Sequence, residues 1–218
     1  MKRAFDILAS SVGLFLLAPM LGIAALAVWL TSGSPVIFRQ KRMGRGFRPF
    51  WIYKFRTMVA DAPNRGGAIT CSNDPRITPI GAVLRKLKVD ELPQLVNVLM
   101  GEMSLVGPRP EMPEFVMQFE PDYRVILQIR PGITDLASLK YHNEAEILAG
   151  FENPSNAYTQ LVLPDKIRLA REYVTRSSFL FDVQLIFRTL LKLTHVGLAG
   201  GGTEQPTFQS AARTSEKS

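Results

Sequence analysis

A stretch of 24 residues near the N-terminus, Ile7–Leu30, carries no charged side chain. At about 1.5 Å per residue, a helix of this length is long enough to cross the hydrocarbon core of a bilayer. The stretch constrains the fold more than any other feature, because so many apolar side chains must be covered either by lipid or by a protein core.

Three interpretations of this stretch are open. A secretory signal peptide also has a basic start, an apolar run and small residues, here Ala25-Leu-Ala27, although an acidic residue such as Asp6 is unusual in one. A transmembrane helix requires only the length and the lack of charge. A re-entrant hairpin enters and leaves the membrane through the same face.

Two features favour the re-entrant hairpin. Pro19 lies in the middle of the stretch, where proline removes a backbone donor and kinks or breaks a helix. Basic residues flank both ends, with Lys2 and Arg3 before the stretch and five Lys or Arg residues at positions 39–48 after it. The positive-inside rule then places both ends in the cytoplasm, which one straight span does not allow. Proline kinks also occur in ordinary spans, so the transmembrane alternative stays open.

The rest of the chain has the composition of a single globular domain. Of its 218 residues, 46% are apolar and 21% are charged, which excludes a mainly disordered chain and a polytopic membrane protein. One cysteine excludes an internal disulfide, and two histidines argue against a histidine metal site. The net charge of +7 indicates an anionic partner, which is a nucleic acid, an anionic lipid or a phosphorylated substrate.

The pattern of turns and apolar residues predicts an α+β fold that is mostly helical. Two short strands, Val36–Lys41 and Pro49–Phe55, form a hairpin around a basic turn. Helices are expected from Thr78-Pro79 to Lys88, from Leu92-Pro93 to Met100, and over residues 113–119, 164–176 and 179–196. The last of these is amphipathic and lies against a core or the membrane surface. Residues 197–218 are expected to be disordered.

The candidate site for chemistry is the pair Asp90 and Glu91, which precedes Pro93 and therefore a helix N-terminus. A carboxylate in this position is stabilised in its ionised form by the helix dipole. Nearby turns carry the basic residues Arg85, Lys86, Lys88, Arg109 and Arg130. Cations around an ionised Asp/Glu pair suit a site for Mg²⁺ and phosphate. The alternative is structural, with Asp90 as a helix cap and Glu91 as its charged neighbour.

Arg109 stands between two prolines, which stiffen the backbone and present the guanidinium at low entropic cost. Arginine binds phosphate through two parallel hydrogen bonds, although an ion pair with Glu111 or Glu114 is equally compatible with the spacing. The chain has no phosphate-binding P-loop, no dinucleotide-binding glycine motif and no nucleophile elbow. Hydride transfer, P-loop hydrolysis and acyl transfer therefore lose their usual sequence support.

Several short motifs occur in order between Lys2 and about Lys192. They are Lys2-Arg3-x-Phe-Asp6, Pro35-Val-Ile-Phe-x-Gln40, Arg42-x-Gly44, Tyr53-Lys-Phe-Arg-Thr-Met58, Asp90-Glu-Leu-Pro-Gln-Leu-x-Asn97, Gly101-Glu-Met-Ser-Leu-Val-Gly-Pro-Arg-Pro110, Arg130-Pro-Gly-Ile-Thr134, and Tyr173, Ser178 and Asp182. In this combination the chain resembles the bacterial sugar transferases, the monotopic phosphoglycosyl transferases that act on polyprenol phosphate.

The resemblance implies three segments: a re-entrant membrane hairpin over residues 1–32 that breaks at Ala18-Pro19, a compact cytosolic catalytic domain with interfacial helices over residues 33–196, and the disordered tail. It also implies the reaction. A phosphosugar is transferred from a nucleotide diphosphate sugar, expected to be a UDP-sugar, to undecaprenyl phosphate, and UMP is released.

The resemblance further assigns roles to single residues. Asp90 is the expected nucleophile, which forms a phosphosugar–enzyme intermediate and binds Mg²⁺, and Glu91 is its acid/base or metal-positioning partner. Phosphate binding is expected from Arg85, Arg109 and Arg130.

The implied location is the cytoplasmic face of the bacterial inner membrane, with the donor, the polyprenol acceptor and anionic lipid as partners. No nucleic acid is expected, and a homodimer is left open. Many members continue the Pro-Gly-Ile-Thr turn with Gly-Trp-Ala-Gln, whereas this chain has Asp135-Leu-Ala-Ser138, which leaves the sugar open. Two alternatives to this reaction are a basic membrane-surface adaptor without catalysis and a direct glycosyl transfer that releases UDP.

Overall fold

The computed structural model describes residues 1–67, 69–72 and 74–198. Within these residues the fold is mostly helical and contains two small two-stranded sheets. The helices are α1 (Lys2–Ser32), α2 (Pro79–Lys86), α3 (Gln94–Met100), α4 (Pro113–Gln118), α5 (Glu120–Ile126), α6 (Leu136–Lys140), α7 (Glu144–Ala149), α8 (Pro154–Ala157), α9 (Leu163–Arg176) and α10 (Phe179–Leu198). The strands are β1 (Ile37–Met43), β2 (Pro49–Phe55), β3 (Ser104–Val106) and β4 (Gly132–Thr134).

The N-terminal apolar stretch forms one helix, α1, which continues through Pro19. The predicted helix-break-helix at Ala18-Pro19 is therefore not confirmed. Proline removes a single backbone N–H from the helix, and the hydrogen bonds on either side keep the two halves in one element. Among the described residues, α1 is the one helix that is long and apolar enough to cross a membrane.

The N-terminal end of α1 is fixed to the globular domain by polar contacts of Lys2 and Asp6. The Lys2 Nζ lies 2.5 Å from a carboxylate oxygen of Asp182 and 3.1 Å from the Tyr173 hydroxyl. One turn later, the buried Asp6 carboxylate accepts a hydrogen bond from the Ser104 hydroxyl at 2.9 Å. The motif Lys-Arg-x-Phe-Asp is thus a docking element for the start of the helix.

The C-terminal end of α1 packs against the same domain. Val28 is fully buried in an apolar cluster with Phe55 and Leu84. The Arg56 guanidinium donates a 2.6 Å hydrogen bond to the carbonyl of Gly33, directly after the helix. Both ends of α1 are therefore held on one globular unit, although the helix is about 45 Å long at 1.5 Å per residue.

The predicted hairpin is confirmed, with β1 pairing antiparallel to β2 and Gln40 opposite Ile52. The predicted helix after Thr78 is also confirmed, and the Thr78 hydroxyl caps it by accepting from the Gly81 N–H at 3.0 Å. Asn97 joins the hairpin to α3, because its side chain accepts from the Tyr53 N–H at 3.1 Å and donates to the Trp51 carbonyl at 2.7 Å.

The parallel pair β3 and β4 was not predicted from the sequence. The two strands approach so closely that a Cβ added to Gly132 would lie 2.0 Å from the backbone nitrogen of Gly107. Only glycine allows this approach. The contact holds Gly107, the residue after β3, directly against the start of β4.

The main core lies between α4, α5, α6 and α9, where Val116, Ile126, Leu163 and Ile167 are buried. The helix α10 packs on the edge of this core. The predicted amphipathic helix is present and extends through Leu198, so it includes residues 197 and 198 of the predicted tail. The other residues of that tail, 199–218, lie outside the described residues.

Two polar side chains of α10, Asp182 and Lys192, face the protein, whereas Gln184 and Arg188 are exposed. Asp182 is buried, and the Lys192 Nζ donates to the Leu139 carbonyl at 2.6 Å. The apolar side chains of Leu180 and Phe187 point outward instead and are 80% and 61% exposed. The helix therefore presents an apolar surface to its surroundings.

Candidate active site

The Asp-Glu pair lies in a tight turn between two helices. After α2 the chain reverses at Lys88, which adopts the left-handed conformation with φ 57°, and a single 3₁₀ turn follows over Val89–Glu91. The helix α3 begins only at Gln94, with Pro93 as its N-cap. The sequence expectation of a helix N-terminus at this point is met closely, but Asp90 and Glu91 lie in the preceding turn rather than in the first turn of α3.

Glu91 is clamped by two cations from different parts of the chain. Its Oε1 lies 2.8 Å from the Lys54 Nζ, and its Oε2 lies 3.1 Å from the Arg109 Nη1. The Arg109 Nη2 also contacts Oε1, so that the guanidinium binds both carboxylate oxygens. Burial raises the pKa of Glu91, but the charges of Arg109 and Lys54 outweigh it and hold the pKa well below its usual value.

Asp90 has the opposite environment. It is 7% exposed, and its Oδ1 has no hydrogen-bond partner within the described part of the chain. Burial and the neighbouring Glu91 charge raise the pKa of Asp90, against the attraction of Lys54, Lys88 and Arg85. This corrects the expectation that a helix dipole governs the carboxylate, because desolvation dominates in the turn. Two adjacent carboxylates are therefore held at different pKa values.

Arg109 is positioned by its backbone. The carbonyl of Pro108 accepts from the Gly132 N–H at 3.0 Å, and the Gly107 N–H donates to the Thr134 carbonyl at 3.1 Å. The Arg109 N–H itself donates to an Asp135 carboxylate oxygen at 3.0 Å. The close pairing of β3 with β4 thus places the Pro-Arg-Pro turn where the Arg109 side chain contacts Glu91.

The other two predicted arginines lie in different places. The Arg85 Nε donates to the Thr57 hydroxyl at 2.8 Å, and burial lowers its pKa while the charge of Asp90 raises it, so the guanidinium is electrostatically part of the site. The Arg130 Nε donates to the Gly101 carbonyl at 2.9 Å, at the opposite end of α3 from the Asp-Glu turn. Arg109 therefore contacts the Asp-Glu pair directly, and Arg85 interacts with it through its charge. Arg130 is bound at the other end of α3.

Sequence reasoning missed Lys54 as a site residue. It lies on β2 and faces Glu91, because Asn97 ties β2 to α3. Burial lowers the pKa of Lys54, and the charge of Glu91 opposes this shift. The available signal was the motif Tyr53-Lys-Phe-Arg-Thr-Met58, but motif order alone does not show that a strand residue reaches a turn 37 positions away.

Comparison with known proteins identifies the family. The model of the bacterial sugar transferase family matches residues 1–196, and the chain belongs to this family. Among its relatives, the exopolysaccharide production protein PSS of Rhizobium leguminosarum bv. phaseoli is 40% identical over 200 residues, covering 88% of this chain and 94% of that protein.

Two further relatives are longer proteins. The UDP-glucose:undecaprenyl-phosphate glucose-1-phosphate transferase of Escherichia coli (strain K12) is 36% identical over 196 residues, covering 88% of this chain and 40% of the relative. The UDP-N-acetylgalactosamine-undecaprenyl-phosphate N-acetylgalactosaminephosphotransferase of Aeromonas hydrophila is 37% identical over 194 residues, covering 87% of this chain and 42% of the relative. The chain thus spans about two fifths of the length of each.

Proposed function

We propose that this protein is an enzyme that transfers a sugar 1-phosphate from a UDP-sugar to undecaprenyl phosphate. The names of the Escherichia coli and Aeromonas hydrophila relatives support the reaction class, and the name of the Rhizobium protein supports a role in exopolysaccharide production. The observation that carries the proposal is the buried Asp90 carboxylate, whose Oδ1 lacks a hydrogen-bond partner within the described residues and lies beside the clamped Glu91.

The proposed chemistry has two displacements. In the first, an Asp90 carboxylate oxygen attacks the β-phosphorus of the UDP-sugar, the bond from this phosphorus to the oxygen of the α-phosphate breaks, and UMP leaves. In the second, a phosphate oxygen of undecaprenyl phosphate attacks the same phosphorus and releases Asp90. The lipid diphosphate sugar is the product.

The surrounding charges suit this chemistry. A diphosphate repels an anionic nucleophile, and the cations Lys54, Arg85 and Arg109 offset that repulsion. Because both oxygens of Glu91 are held by Lys54 and Arg109, Glu91 stays anionic and fixes these two cations. Its role in the proposal is therefore to position charge around Asp90.

The residues fit a Mg²⁺ ion that is completed by substrate. Within the described residues no cluster of three or more His, Cys, Asp or Glu side chains exists, so an all-protein cage is not formed there. Mg²⁺ commonly binds through one or two carboxylates together with substrate phosphates, and the unpartnered Asp90 oxygen is such a ligand. When bound, Mg²⁺ supplies positive charge to the diphosphate.

The exposed apolar surfaces and the docking of both ends of α1 on one domain support a membrane arrangement for this protein. Between its two docked ends, α1 exposes Phe15, Leu16 and Ile23 by 81%, 68% and 70%. We infer that α1 enters the cytoplasmic leaflet and returns with both ends on the cytoplasmic side. The outward apolar face of α10 then rests on the same membrane surface.

The covalent step is tested by a single-turnover experiment. Protein in detergent with Mg²⁺ and a UDP-sugar, but without undecaprenyl phosphate, is expected to release about one UMP per active site and to retain the phosphosugar on Asp90, as located by mass spectrometry. Asp90→Asn abolishes both results, whereas Asp165→Asn, a change to an ion-paired aspartate on α9, preserves them. Release of UDP, or UMP release only when acceptor is present and without a labelled Asp90, contradicts the covalent mechanism.

The topology is tested by cysteine labelling. In a Cys71→Ala background, single cysteines at the exposed positions Ala4 and Ser34 are both expected to react with a membrane-impermeant reagent only from the cytoplasmic side. Labelling of the two positions from opposite sides contradicts the re-entrant arrangement and indicates a transmembrane helix.

A further inference from the structure

The buried aspartate Asp135 makes two hydrogen bonds that no role in the proposed reaction accounts for. It is 2% exposed, and its Oδ1 accepts the Ser138 N–H at 2.6 Å, which makes it the N-cap of α6. Its Oδ2 accepts the Arg109 N–H at 3.0 Å. One carboxylate therefore joins the start of α6 to the backbone of the arginine that clamps Glu91.

The hydrogen bond from the Arg109 N–H to Asp135 is important for holding the turn, because prolines flank Arg109 on both sides. Pro108 and Pro110 have no backbone N–H, so the Arg109 N–H is the only backbone donor of the turn. Three hydrogen bonds tie residues 107–109 to β4 and to the residue that follows it. The bond to Asp135 is the one of these that involves a side chain, and it is made at Arg109 itself.

The negative charge of Asp135 attracts Arg109 and so adds to the effect of the hydrogen bond. The Glu91 charge is the main cause of the raised pKa of Arg109, and Asp135 contributes to the same shift. The guanidinium is thus held from one side by Glu91, and its backbone is held from the other by Asp135. A displacement of the turn would loosen the two-point contact with Glu91 and change the charge around Asp90.

We propose that Asp135 is a positioning residue for the reaction, which acts by holding the Arg109 backbone so that the guanidinium keeps its contact with Glu91. This inference rests on the proposed function.

The first test measures hydrogen exchange and needs no activity. Asp135→Asn keeps the shape of the side chain but leaves one acceptor oxygen for two backbone donors. With this oxygen on the Ser138 N–H, which makes the shorter bond of 2.6 Å, the amide nitrogen faces the Arg109 N–H and does not accept from it. Because prolines carry no amide hydrogen, a peptide covering residues 106–111 reports this donor with few others. Exchange at Arg109 is expected to accelerate at least about tenfold in Asp135→Asn and to stay unchanged in the control Asp165→Asn, which loses hydrogen bonds at the opposite end of α6.

The second test is a double-mutant cycle on UMP release. Asp135→Asn is expected to lower kcat about 10- to 100-fold with a smaller change in KM for the UDP-sugar. In an Arg109→Ala background the same substitution is expected to change kcat by no more than about twofold, because the residue through which it acts is absent. A residue that supports only the fold lowers kcat by the same factor in both backgrounds.

The outcomes separate this inference from the proposed function. Unchanged exchange at Arg109, or equal kcat losses in the two backgrounds, overturns the positioning role while UMP release by the wild-type protein still supports the proposed function. If the wild-type protein releases no UMP with any UDP-sugar, the proposed function fails, and the catalytic role of Asp135 fails with it.

Discussion

The substitution Glu91→Gln tests the charge clamp by its effect on stability. Glutamine keeps the shape of the side chain and one acceptor oxygen but removes the negative charge shared by Lys54 and Arg109. Breaking a buried ion pair from one side costs about 3–5 kcal/mol, because the partner charges remain in a poorly solvated site. The side chains of Glu91, Lys54 and Arg109 are 15%, 20% and 30% exposed, so partial solvation places the expected loss near the lower limit, about 3 kcal/mol.

In a domain of this size, about 3 kcal/mol corresponds to a fall in Tm of roughly 6–12 °C. Thermal and urea unfolding of detergent-solubilised protein measure the loss. The matched control is Glu120→Gln, which makes the same change in a pair with Arg124 whose side chains are 37% and 72% exposed. There the expected cost is below about 1 kcal/mol.

The pH dependence of stability tests the Glu91 prediction a second time and independently. The pKa of Glu91 in the folded state is lowered, so its ionised form stabilises the protein above the ordinary glutamate pKa of 4.5, and this contribution is lost as the pH falls through the lowered value. The stability difference between wild type and Glu91→Gln should therefore narrow in acid. A loss no larger than that of Glu120→Gln, or one that does not change with pH, refutes the charge clamp.

Three further predictions follow from single contacts. Asp90→Asn should abolish turnover yet raise Tm at pH 7 by about 2–4 °C for each kcal/mol gained, because the raised folded-state pKa makes ionisation of Asp90 costly to the fold. For the same reason, the acidic limb of the wild-type kcat/KM profile, which reports the free enzyme, should lie above pH 3.8. Gly132→Ala should cost about 3 kcal/mol or more in urea unfolding, because its Cβ would lie 2.0 Å from the Gly107 nitrogen. Lys2→Met should cost about 1–3 kcal/mol and speed proteolysis near the N-terminus, because the buried Asp182 loses its cation.

Each of these predictions has a contradicting result. For Gly132 the control is Gly22→Ala, since no atom lies within 4 Å of the added Cβ there, and equal costs at the two sites contradict the close approach. A lower Tm for Asp90→Asn contradicts the claim that the ionised Asp90 carboxylate destabilises the folded protein. Unchanged proteolysis after Lys2→Met contradicts the docking of α1 by this ion pair.

The sequence predicted the elements that have local signals. The β1–β2 hairpin has two short runs rich in aromatic and β-branched residues around a basic, glycine-containing turn, and α2 has a Thr-Pro start. The strands β3 and β4 have only three residues each, and their pairing joins segments about 28 positions apart. No local sequence pattern therefore predicts them. Pro19 is a strong local signal for a break, yet α1 continues through it, because proline removes one backbone donor and the hydrogen bonds on either side remain.

The site was predictable as a set of residue types but not as an arrangement. The pair Asp90 and Glu91 and the constrained Arg109 were found because two carboxylates beside prolines and cations form a local pattern. The partners Lys54 and Asp135 come from β2 and from the cap of α6, and only the folded chain brings them to the pair. Opposite pKa shifts of neighbouring carboxylates likewise depend on burial and on these distant charges, which explains why the helix-dipole argument gave the wrong direction for Asp90.

The central claim is that this protein transfers a phosphosugar through Asp90, and the identity of the released nucleotide tests it most directly. Purified protein in detergent is incubated with Mg²⁺, undecaprenyl phosphate and each of a panel of UDP-sugars, and UMP and UDP are quantified separately. We expect continuous UMP release that depends on undecaprenyl phosphate and occurs with a subset of the sugars. This release is lost in Asp90→Asn but not in Asp165→Asn. Release of UDP, or UMP release that survives Asp90→Asn, would contradict the claim.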